Sequence, residues 1–187
     1  MKLIRCTILV VLLTLSMAAF TETAPEPLSE IIVFNDAMLE KVVRDQMEKP
    51  EGDITVAEAQ EVRGLYADLE WQPEIPPETQ IKDISALASF VNLEQLSLQF
   101  HAITDLSPLS GLTKLTDLYL GGNPISDISP LAELTELRSL ALFNCEAKDY
   151  SALKNFTHLQ NLRIEYSTFS DLTVLSEMKD LRGLDIQ

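Results

Sequence analysis

The sequence predicts an α/β solenoid. It is expected to be a right-handed superhelix of stacked coils, with parallel β-strands on the concave face, short 3₁₀ or α turns on the convex face and an N-terminal helical cap. Three observations carry this expectation. A 22-residue period runs without slippage through copies starting at Ile81, Ile103, Ile125, Ala147 and Phe169. Seven offsets, represented in the second copy by Ile103, Leu106, Leu109, Leu112, Leu115, Leu118 and Leu120, are apolar in all five copies. An aspartate and a hydroxyl residue also return two positions apart in every copy. An L-x-x-L-x-L spacing at a period in the twenties marks a leucine-rich repeat, whose single coil cannot bury its own apolar face and must stack on the next. Such an architecture directs the functional expectation to surface recognition.

The chain opens on Lys2 and Arg5, continues through an apolar run from Ile8 to Leu15 broken only by Thr14, and reaches the small residues around Ser16 and Ala18. This pattern predicts a secretory signal peptide, too short for a confident membrane span, with an uncleaved N-terminal anchor as the alternative. Residues 1–24 are read as signal peptide and leader, implying a secreted or cell-surface protein with no membrane insertion after removal of the signal. Cleavage takes away two cations and no acid, moving the formal charge from −15 to −17. So acidic a chain repels nucleic acid and anionic membranes and favours cationic partners. Of the two cysteines, only Cys145 would remain, so no internal disulfide is expected.

Residues 25–80 are read as the helical cap with an irregular entering strand and a loop. Asn35 or Asp36 is a plausible N-cap, and Met38, Leu39, Val42, Val43 and Met47 follow at helical spacing before Pro50. After a turn at Gly52 and Asp53, Thr55 and Glu58 fit a capping box opening a second helix. The stretch from Glu51 to Glu58 resembles the back half of a calcium-binding loop. However, Met47 and Lys49 stand where carboxylate ligands belong, so no metal or other cofactor is expected. Arg63 to Leu69 forms the entering strand, and Trp71 to Pro77, with three prolines, the loop.

Residues 81–187 hold the five repeats. The alternation Leu118, Tyr119, Leu120 predicts a short strand with leucines inward and Tyr119 outward. On the other side, Ser85, Ser107, Ser129, Ser151 and Thr173 are expected as N-caps, with Pro108 and Pro130 at first helical positions. Asp83, Asp105, Asp127, Asp149 and Asp171 are expected to accept backbone N–H groups at these turns, with a cation-gathering ladder as the alternative. His101, Asn123, Cys145 and Ser167 share an inward polar offset suited to bonding backbone between coils. Cys145 is therefore expected to be a buried ladder member and not a nucleophile. Nothing in the sequence caps the strand-like Leu181 to Ile186, so that edge is expected to be covered by further residues, by a partner or by self-association with a second copy.

The run Ile103-Thr104-Asp105-Leu106-Ser107-Pro108-Leu109 through Asn123-Pro124 is similar to the 22-residue repeat of the internalins and related secreted bacterial leucine-rich proteins. Phe34 to Leu65 also resembles their helical cap. The resemblance implies an exported recognition module that binds on its concave strand face. This chain departs from the pattern in having asparagine at only one of four ladder positions, and Ala147 and Tyr150 at core offsets.

Outward strand positions put a few rigid aromatics and one arginine among polar residues, a composition seen at interfaces. The candidate partner-binding residues are Gln99, Phe100, Tyr119, Phe143, Arg163, Glu165 and Tyr166. Five strands about 4.8 Å apart and roughly 16 Å long give a footprint of about 400 Å². A standard interface takes about 800 Å² per partner, so a tight protein ligand must also touch the flanks. A glycan using the same aromatics as stacking platforms, or a self-assembling cell-envelope spacer without a discrete ligand, are the alternatives. No phosphate loop, zinc spacing, nucleophile elbow or histidine-based triad occurs, and no enzyme is expected.

Overall fold

One inward leucine between two outward residues gives each coil a three-residue strand, because successive side chains of extended backbone point to opposite faces. The computed structural model describes residues 30–186, so the expected signal peptide and leader lie outside the described residues. Six strands result: β1 Gly64–Tyr66, β2 Gln95–Ser97, β3 Asp117–Tyr119, β4 Ser139–Ala141, β5 Asn161–Arg163 and β6 Gly183–Asp185. They form a single parallel sheet in chain order. From β2 onward the register steps by one repeat, so Leu96, Leu118, Leu140, Leu162 and Leu184 stand in one column. The entering segment, expected to be irregular, supplies β1 as a regular member, with Leu65 paired to Leu96.

On the convex side each coil makes a 3₁₀ turn, at Ser85–Ser89, Ser107–Leu109, Ser129–Leu131, Ser151–Asn155 and Leu172–Leu175. The expected cap assignment is corrected here. The serines are not N-caps. They are the first residues of their turns, and the preceding Ile84, Leu106, Ile128 and Tyr150 carry no side-chain cap bond. The aspartate performs the capping. Asp83, Asp105, Asp127 and Asp149 each accept the N–H of the serine two residues on at 2.8 Å, and Asp171 accepts from Thr173 at 3.0 Å. Hydrogen bonds to the ionised form hold the Asp83, Asp127, Asp149 and Asp171 carboxyls below their ordinary pKa, led by the Ser85 and Thr173 hydroxyls at Asp83 and Asp171 and by the serine backbone N–H at Asp127 and Asp149.

Between strands and turns runs a continuous core, whose leucine, isoleucine and phenylalanine side chains in the first four copies are fully buried. In the fifth copy some of the same offsets open to solvent, with Leu172 56% and Leu184 44% exposed, while Met178 stays buried.

The N-terminal cap consists of α1, Ala37–Gln46, and the single turn α2, Val56–Ala59. Asp36 Oδ1 caps α1 by accepting from the Met38 and Leu39 N–H groups, while its Oδ2 accepts from Lys82 at 2.8 Å and Asp83 at 3.2 Å. One carboxylate thus joins the cap to the first coil. Its pKa is lowered: burial works against ionisation, but the four backbone N–H bonds prevail. The Thr55–Glu58 capping box is formed. In the calcium-loop-like turn the chain's own cations bond the oxygens, Arg44 donating to the Gly52 carbonyl at 2.9 Å and Lys49 to Glu58 at 2.6 Å. The Lys49 ammonium, with the Thr55 bonds, draws the Glu58 pKa down to about 2.

A candidate recognition surface on the concave face

The concave face is organised around two adjacent glycines in the second copy. A Cβ at Gly121 would overlap the ring of Phe143 from the third copy, and a Cβ at Gly122 would overlap the ring of Phe100 from the first. With no side chains to displace them, the two rings lie over the sheet from opposite directions and meet at 5.5 Å between centroids, tilted by 55°. Arg163, from the fourth copy, covers Phe143 with its guanidinium 4.9 Å from the ring centroid. Glu165 then fixes the arginine, accepting from Nη2 at 2.6 Å. Four copies therefore contribute to one cluster in which ring stacking, a cation–π contact and an ion pair pre-position the parts.

Of the residues expected to bind, the structure brings together Phe100, Phe143, Arg163 and Glu165. Phe143 and Glu165 form the floor, 9% and 7% exposed, and Arg163 and Phe100 present the accessible surface. Tyr119 is half-buried on the neighbouring column, its hydroxyl 3.5 Å from Asp117. Gln99 is held at the N-terminal side by Asp68, which accepts from its backbone and side-chain amides and from the Ser97 hydroxyl. Sequence reasoning missed Asp68, because it follows β1 outside the 22-residue frame. It also missed the role of the Gly121-Gly122 pair, although two adjacent glycines at the tail of one strand only were a visible signal.

Tyr166 stands apart. Together with Pro124, Asn144, Glu146, Lys148 and Thr168 it lines a groove of about 590 Å³ along the strand exits. The offset it occupies is conformationally unusual: Phe100, Gly122, Asn144 and Tyr166 all have left-handed backbone, with φ of 63°, 74°, 52° and 55°. Glycine and asparagine take this conformation readily, whereas an aromatic residue there costs ~1–2 kcal/mol.

Beneath both surfaces runs the polar ladder. His101 Nδ1 accepts from the Ile81 N–H at 3.1 Å while Nε2 donates to the Ala67 carbonyl at 2.6 Å. Asn123 accepts from Ile103 and donates to the Leu98 and Leu120 carbonyls. At the third position the pattern changes. The thiol of Cys145 reaches only the Phe143 carbonyl of its own coil at 3.8 Å, and the Ile125 N–H turns to the Asn123 carbonyl instead. Burial pushes the Cys145 pKa up to about 12, which keeps the sulfur protonated and unreactive. Ser167 donates within its own coil, to the Ile164 carbonyl, and accepts from the Phe169 N–H at the start of the fifth copy at 3.2 Å. Among the described residues no group of three or more histidine, cysteine or acidic side chains is placed to hold a metal, and no helix is long and apolar enough to cross a membrane.

Residues 91–133 and 113–155 match the family model of paired leucine-rich repeats. The fold is similar to an internalin (inlF) of Listeria monocytogenes at 35% identity and a TM-score of 0.77, over 86% of this chain and 46% of that one. It is also similar to internalin C2 of the same organism at 25% identity and a TM-score of 0.56, over 87% and 90% of the two chains. The leucine-rich-repeat ectodomain of a plant membrane receptor kinase from Arabidopsis thaliana, solved in complex with Casparian strip integrity factor 2, shares the fold at 18% identity and a TM-score of 0.51, over 67% and 15%. The chain spans less than half the length of the first of these relatives. No curated protein matches the chain. Leucine-rich-repeat proteins generally serve as protein-interaction modules.

Proposed function

We propose that this internalin-like leucine-rich-repeat protein is an exported recognition module that holds a protein partner on the concave sheet face. The observation that supports this reading is the Phe100–Phe143–Arg163–Glu165 cluster, built across four copies on space left by two glycines. Nothing in the stacking of leucines requires it. A guanidinium whose plane is already fixed by an aromatic ring and a carboxylate loses little conformational entropy on binding, which favours affinity. Tyr119 and Phe100 extend the contact beside it, and Gln99 and Glu165 border it, while Tyr166 lies outside it in the strand-exit groove. The entering strand β1 adds a sixth strand to the sheet, with Tyr66 half-exposed and its hydroxyl bonded to Gln95, and so enlarges the face beyond five repeats.

The test replaces Tyr119 and Arg163 together by alanine and places photo-crosslinking side chains at position 119 and, as a convex control, at Lys154. Circular dichroism checks that both variants retain the wild-type fold before capture is compared. The reading expects a discrete protein to crosslink from position 119 only, and expects the double substitution to abolish its capture. Equal crosslinking from the convex side, or capture that survives the double substitution, would remove the concave face from consideration.

A further inference from the structure

We propose that the groove along the strand exits of the second to fourth copies is a carbohydrate subsite, in which one face of a pyranose ring stacks on Tyr166 while its hydroxyls bond Asn144, Glu146 and Lys148. The site lies on a different surface from the concave cluster and does not depend on it. Tyr166 is 80% exposed, although an isolated aromatic ring gains more from contact than from water, and its left-handed backbone adds to the cost. The cost is avoidable, since the same offset is glycine in the second copy and asparagine in the third.

The polar groups of the groove are free. Among the described residues the side chains of Asn144, Glu146 and Lys148 make no hydrogen bond or ion pair, while almost every neighbouring polar group is committed: Thr168 to the Ala147 carbonyl at 2.6 Å and Ser167 to the Ile164 carbonyl at 2.6 Å.

The chemistry of the lining selects the ligand class. The lining carries one carboxylate and one ammonium, which balance in charge, so the groove does not favour a highly charged ligand. An amide, an acid and an amine around an aromatic platform match a molecule with an apolar C–H face and a rim of hydroxyls that both donate and accept. An extended peptide fits less well, because the backbone at this edge is already paired, Gly122 N–H to the Phe143 carbonyl and Asn144 N–H to the Glu165 carbonyl. A volume of about 590 Å³ lies within the range of small-ligand sites.

The experiment is a ¹⁵N NMR titration of the full chain with the methyl glycosides of glucose, galactose, mannose and N-acetylglucosamine. At least one glycoside is expected to shift the Asn144 side-chain amide and the backbone amides around Tyr166, with a Kd of about 1 mM. Tyr166→Asn keeps the left-handed backbone but removes the ring, and is expected to weaken binding tenfold or more. Tyr166→Phe is expected to retain it. Arg163→Ala, which damages the concave cluster, is expected to leave the titration unchanged, so failure of the concave reading and failure of this one are separable. The proposal is overturned if none of the four glycosides moves these signals, if binding survives Tyr166→Asn, if Arg163→Ala abolishes it, or if only a peptide shifts the same amides.

Discussion

At the scale of single residues, His101 shows how one ladder position sets a pH limit. Its Nδ1 faces the Ile81 N–H, so the proton of the neutral ring sits on Nε2, where the Ala67 carbonyl takes it. An imidazolium would point a second N–H at the Ile81 N–H. Burial lowers the His101 pKa from 6.5 and outweighs the Ala67 carbonyl and the Asp68 and Asp36 carboxylates, which pull it upward. The sign follows. Below about pH 6.5 the unfolded chain takes up a proton that the folded ring resists, so stability is lost as the pH falls. Melting temperatures are expected to decline between about pH 7 and pH 5 in the wild type and to decline less in His101→Asn, which installs the Asn123 chemistry at the first ladder position. Parallel declines in the two proteins would show that the histidine bond does not couple the coils.

At the scale of elements, the strand tails of the second and third copies decide the shape of the concave cluster. Gly121→Ala adds one methyl group where the Phe143 ring lies, and the ring cannot move without releasing Arg163. The substitution is expected to cost about 1–3 kcal/mol, as overpacking commonly does. It should also raise the solvent exposure of Phe143. Denaturant unfolding gives the first quantity, and the rate of Arg163 modification by a dicarbonyl reagent reports the second. Unchanged stability and reactivity would mean that the glycine is incidental. This cluster also marks how far the sequence was readable. The apolar offsets, the aspartates and the ladder obey a fixed period, so each copy corroborates the others, and in the first four copies the apolar side chains and aspartates stand where the period puts them. Phe143 obeys the same period as an outward position yet lies nearly buried, because its fate depends on a missing side chain one strand away. Asp68 escaped for the opposite reason, since it holds Gln99 and Ser97 from a segment that has no repeat frame at all. The serines of the convex turns were misplaced by one step, because the proline after them fits an N1 site as well as the second residue of a 3₁₀ turn.

For the molecule as a whole, a sheet in which each strand pairs only with its chain neighbours makes stability a sum of local coils and the contacts between adjacent ones. Coils buried on both sides should then be the most protected, and a coil with open leucines the least. Leu118 is fully buried in the second copy, whereas Leu184 at the equivalent place in the fifth is 44% exposed. Leu118→Ala is accordingly expected to cost about 2–5 kcal/mol, and Leu184→Ala less than about 1 kcal/mol. Hydrogen exchange supplies the independent check. Amides of β3 and β4 should exchange only through global unfolding, while those of β6 exchange through local opening of the last coil and respond to Leu184→Ala without any change at β3. Uniform protection from β2 to β6, with both substitutions slowing or speeding every strand alike, would instead describe one cooperative unit. The concave cluster, whose side chains from the first, third and fourth copies meet over the glycines of the second, would then be the structure that couples the coils.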